Sequence, residues 1–90
     1  MIVPTVHLNG TSGQDLFNRN LEAAYAVREA LEALQSAAPN ARDYYVQGNT
    51  AFQVAAAQHT ERVKRLQDVY EELNTILQAI DDQDWPGGRD

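Results

Sequence analysis

Residues 52–80 read FQVAAAQHTERVKRLQDVYEELNTILQAI, and their rhythm decides the architecture. Phe52, Ala56, His59, Val63, Leu66, Tyr70, Leu73, Leu77 and Ile80 recur at alternating intervals of four and three residues. On an α-helix that alternation keeps a seam on one side, as in helical pairs and bundles. Roughly four heptads of seam exceed what a lone surface helix needs, so the stretch predicts a long helix packed on other helices.

A second helix lies upstream, over about residues 14–37. Phe17, Leu21, Ala24, Val27, Leu31, Leu34 and Ala38 repeat the spacing, and alanines at 23, 24, 26, 30, 33, 37 and 38 allow close approach of a neighbour. Pro39 disfavours helical geometry at Ala38 and should stop it. Before it, Thr11 with Gln14, or Ser12 with Asp15, has the spacing of an N-terminal cap. The downstream helix should run over about 50–82, with Thr50 and Gln53 again at capping-box spacing. Between the helices lies a connection over 39–49, longer than bundle helices ordinarily require.

The ends read differently. Residues 1–13 form an arm and helix-start turn, and Pro4 within MIVPTVHL restricts it to an extended segment or edge strand. Residues 83–90, with Trp85-Pro86-Gly87-Gly88, read as a flexible tail. Trp85 either docks into a groove or stays a mobile aromatic.

The expected fold is all-α: an antiparallel helical hairpin with an extended N-terminal arm, oligomerising into a four-helix or larger bundle. Two helices share one contact face. Val69 and Ile76 beside one seam, and Leu16, Tyr25 and Ala30 beside the other, would stay wet in a single hairpin. The rival is a monomer whose N-terminal arm covers that face.

Composition removes several functions. A chain of 90 residues makes one small domain. Without cysteine it has no disulfide, thiolate zinc site or cysteine nucleophile. With two histidines, no metal and no cofactor is expected. A net charge of −6 opposes duplex nucleic acid, and Arg62-Val63-Lys64-Arg65, flanked by Glu61 and Asp68, reads as a solvated helix face. No basic start precedes an apolar run and no window approaches membrane-spanning length, so no signal peptide and no membrane partner are expected.

Two stretches carry recognition chemistry. Asn9-Gly10-Thr11-Ser12, with Gly13, combines small residues and hydroxyls at a helix start, the outline of an anion cradle or a plain cap. Arg42-Asp43-Tyr44-Tyr45 joins a guanidinium fork for phosphate or carboxylate to aromatic faces suited to a base. The alternative there is that one tyrosine caps the bundle end while Arg42 and Asp43 pair locally. In a hairpin these stretches lie ~35 Å apart, so only neighbouring subunits could join them. His59 on the seam reads as a buried, neutral, hydrogen-bonded residue. Acid–base catalysis needs two groups within reach, and no such pair is evident, so an enzyme is not expected.

PTVHLNGTS at 4–12 and APNARDYYVQG at 38–48, with the downstream helix, resemble a family of small uncharacterised proteins of tailed bacteriophages and prophages. The resemblance spans nearly the whole chain and implies a viral accessory protein in the host cytoplasm. An oligomerising hairpin is also similar in architecture to phage proteins that sequester cyclic-nucleotide immune signals, which hold ligand between subunits through arginine and aromatic contacts. The expectation is a non-enzymatic protein binding a small anionic, nucleotide-like ligand at an intersubunit site, counteracting bacterial immune signalling. Arg42, Tyr44 and Tyr45 of one subunit would act with Asn9, Gly10, Thr11 and Ser12 of another. The alternatives are an acidic inhibitor or adaptor of a host enzyme, and a virion or assembly component.

Overall fold

The computed structural model describes residues 1–88. Two helices, α1 (Gly13–Ser36) and α2 (Ala51–Asp81), pack as an antiparallel hairpin measuring 61 × 21 × 21 Å. Their bounds fall within one residue of those expected from spacing, and no strand forms among the described residues.

The starts of the helices differ. Ser12 caps α1 by accepting the Asp15 amide on its hydroxyl at 3.1 Å, the second of the two alternatives. Thr50 makes no such bond. It stands at φ −106° and ψ −9°, already near helical geometry, so its hydroxyl is not aimed at the first-turn amides and the expected capping box is absent. At the other end of α1, Ala37 returns its amide to Leu34 and Gln35, two residues before Pro39.

The connection is wound rather than irregular. Asn40 accepts the Arg42 amide on its side-chain oxygen and opens a 3₁₀ turn over Ala41–Asp43; a second turn covers Tyr45–Gln47. Gly48 follows at φ 115°, a left-handed geometry that glycine alone adopts without strain.

Both seams face inward. Every α2 seam position from Phe52 to Ile80 is buried or half-buried, and so is every α1 position from Phe17 to Leu34. Ala38 is the exception: the helix has ended, and the residue is exposed. Fully withheld side chains are few, because two cylinders share only a line of contact. Ala24, Leu77 and Ile80 form the buried apolar core, with Ile80 at 0 % exposure. Beside the seams, Tyr25 remains 58 % and Val69 41 % exposed.

Of the residues beside the seams, Tyr25, Ala30 and Val69 are left exposed, whereas Leu16 and Ile76 are half-buried; the arm lies elsewhere. It runs beside the end of α2, where the Gln83 side chain accepts the Val6 amide and donates to the Pro4 carbonyl, both at 2.8 Å. One side-chain amide thereby pairs with the arm backbone as a strand would. Within the stretch read as a tail, the chain makes a turn in which the Gly88 amide donates to the Trp85 carbonyl.

Candidate functional site

At the loop end, the two 3₁₀ turns send adjacent side chains in different directions. Tyr44 is half-buried, its ring centroid 6.4 Å from that of Phe52 and tilted by 51°. Such tilted packing is a favourable aromatic arrangement and anchors the turn to the first residues of α2. Tyr45 is 75 % exposed, and Arg42 is exposed as well. Among the described residues Arg42 forms no ion pair, so the local Arg42–Asp43 pairing is absent. Tyr44 packs at the loop end of the hairpin, while Arg42 and Tyr45 are exposed.

At the opposite end, Asn9, Gly10, Thr11 and Ser12 are all exposed in a turn closed by the Gly10 amide on the His7 carbonyl at 3.2 Å. The imidazole of His7 lies over Gly10, where an added Cβ would sit 2.6 Å from Nε2. Beside this turn is a groove of about 440 Å³ lined by His7, Leu8, Ser12, Asp84, Trp85 and their neighbours. α1 alone separates this turn from the loop by ~36 Å, so one chain does not bring Arg42 or the tyrosines to Ser12.

Trp85 is the residue that sequence reasoning left unplaced. Its indole Nε1 donates to the Ile80 carbonyl at 2.6 Å, satisfying an acceptor at the end of α2. Its ring lies against Gly13, where an added Cβ would be 2.4 Å from Cδ2, and against Gly88, where one would be 2.5 Å from Nε1. The signal was the three glycines 13, 87 and 88. Each also reads as turn punctuation, which concealed their common service to one indole.

His59, the third seam residue of α2, is 8 % exposed. Its Nε2 is buried with no hydrogen-bond partner, contrary to the bonded histidine expected. The neighbouring groove, about 560 Å³, is lined by Gln35, Ala38, Val63, Lys64 and Gln67 together with His59.

Along the outer face of α2, Arg62, Lys64 and Arg65 are exposed, as a solvated helix face should be. Lys64 donates to Asp68 at 2.9 Å, and that hydrogen bond, followed by the attraction of the same carboxylate, raises the ammonium above its ordinary pKa. No group of three or more His, Asp or Glu side chains that could hold a metal converges among the described residues. No helix among them is long and apolar enough to cross a membrane.

No family model, curated protein or solved structure matches this chain.

Proposed function

We propose that this hairpin is a non-enzymatic phage accessory protein that self-associates and binds a small anionic, nucleotide-like ligand between subunits, sequestering a bacterial immune signal. Arg42 would pair with phosphate and Tyr45 would stack on a base, with Tyr44 bracing the turn. The Asn9–Ser12 turn of a neighbouring copy would take a second anionic group.

The observation that carries this reading is the outward projection of Arg42 and Tyr45 from a wound, braced turn. Among the described residues Arg42 forms no ion pair, and with Tyr45 exposed three positions on, the turn offers a charge-assisted fork and a flat face to a ligand. Self-association draws support from surface. The chain exposes 6667 Å², about 1,400 Å² more than a compact monomer of this mass, and a standard interface buries about 800 Å² per partner.

The inhibitor or adaptor reading has less support, because Trp85, its natural anchor, is engaged by Gly13 and Ile80 of its own chain. A virion role has no feature of its own. A thermal-shift panel of cyclic di- and trinucleotides at ~100 µM tests the proposal, since ligand binding to the native state raises Tm by mass action. A rise with at least one member, lost in Arg42→Ala and Tyr45→Ala, is the expected result. A panel without any shift overturns it.

A further inference from the structure

We propose that α2 docks antiparallel on α2 of a second copy through the stripe Arg62, Arg65, Val69, Glu72 and Ile76, each Arg65 facing Glu72 of the other chain; this rests on the self-association in the reading above and not on its ligand. The five residues recur at intervals of three, four, three and four, so they follow one side of the helix over ~21 Å. None of them belongs to the seam against α1. Ile76 is half-buried, Val69 is 41 % exposed, and Arg62, Arg65 and Glu72 are exposed. Among the described residues neither Arg65 nor Glu72 forms an ion pair within its own chain.

The stripe is complementary to itself in one direction only. Val69 stands at its middle, with the two arginines on the loop side and Glu72 on the other. A two-fold axis passing beside Val69 sets that residue against its copy and each Arg65 opposite Glu72. A parallel pairing sets arginine on arginine and glutamate on glutamate. The whole helix repeats this pattern. Residues 51–66 include three basic side chains and one acidic, whereas residues 67–81 include four acidic and no basic. Unlike halves meet only when the two helices run in opposite directions, and like halves repel. Exposed ion pairs contribute little, so burial of Val69 and Ile76 supplies the affinity while the charges choose the direction. The exposed stripe of α1 has no such property: Glu22, Tyr25, Glu29 and Glu32 set acid against acid in either direction.

Charge reversal tests the pattern and cross-linking tests the direction. Light scattering over a concentration series compares wild type, Arg65→Glu, Glu72→Arg and the double variant, with circular dichroism to follow their helices. Wild type is expected at twice 10.0 kDa or a higher multiple. Each single reversal creates two like-charge contacts per pair of chains and should weaken association at least ten-fold. The double variant exchanges the signs and should return to within three-fold of wild type. The chain has no cysteine, so Arg62→Cys and Ile76→Cys chains can be mixed and oxidised as reporters of direction. Disulfides between the two kinds of chain are expected; disulfides within each kind, or none, overturn the antiparallel stripe. Should a charge variant lose its helix, this cross-link still decides. Equal association by all four charge forms removes the stripe and leaves self-association standing through another face. A wild-type particle of 10.0 kDa removes both.

Discussion

Ile80 and His59 sit on the same seam of α2 and have opposite energetic characters. Ile80 is wholly withdrawn from water, so truncation to alanine removes apolar burial and leaves a void, at a cost of about 2–5 kcal/mol. His59 is nearly as buried yet holds a nitrogen with no partner, a condition that costs about 1–3 kcal/mol. Replacement of His59 by leucine removes the stranded polar atom and keeps the seam filled. Urea unfolding should place the Ile80→Ala midpoint well below wild type and the His59→Leu midpoint at or above it. A large loss for His59→Leu would mean that Nε2 is satisfied by a group outside the hairpin. Spacing located both residues on the seam. It could not show whether His59 finds a partner, because that depends on which α1 side chains stand opposite.

At the scale of elements, the two helix starts make a controlled comparison. Ser12 and Thr50 are both hydroxyl residues three positions before a polar side chain, but only Ser12 accepts a first-turn amide. Ser12→Ala should therefore lower stability by about 1 kcal/mol, whereas Thr50→Ala should change it by a few tenths at most. Thermal unfolding by circular dichroism measures both; equal losses would contradict the capping geometry. The helix ends themselves were legible, since the hydrophobic rhythm and Pro39 act locally. The Arg42–Tyr45 loop was legible as chemistry and not as shape. Its two 3₁₀ turns depend on Asn40 catching the Arg42 amide and on Tyr44 reaching Phe52, which no periodicity encodes.

For the whole molecule, the shape is the argument. A rod 61 Å long and 21 Å wide has too little interior to cover both faces of its helices, and Tyr25 and Val69 stay in water. Self-association through that face predicts a light-scattering mass at micromolar concentration that is a multiple of 10.0 kDa. Val69→Glu should lower that mass, because a carboxylate buried at an interface without a partner is heavily penalised. A wild-type particle of 10.0 kDa would remove the bundle and the intersubunit site together.

The order of apolar residues by itself determined two long helices, their limits and the sides they present, because helical periodicity acts within a few turns of chain. Only the tertiary structure decided the fate of the ends. Trp85 found Gly13, and Gln83 found the backbone of Pro4 and Val6, across more than seventy positions of sequence. Contacts at that separation leave no local spacing to read; they follow from antiparallel packing, which returns the end of α2 to the start of α1.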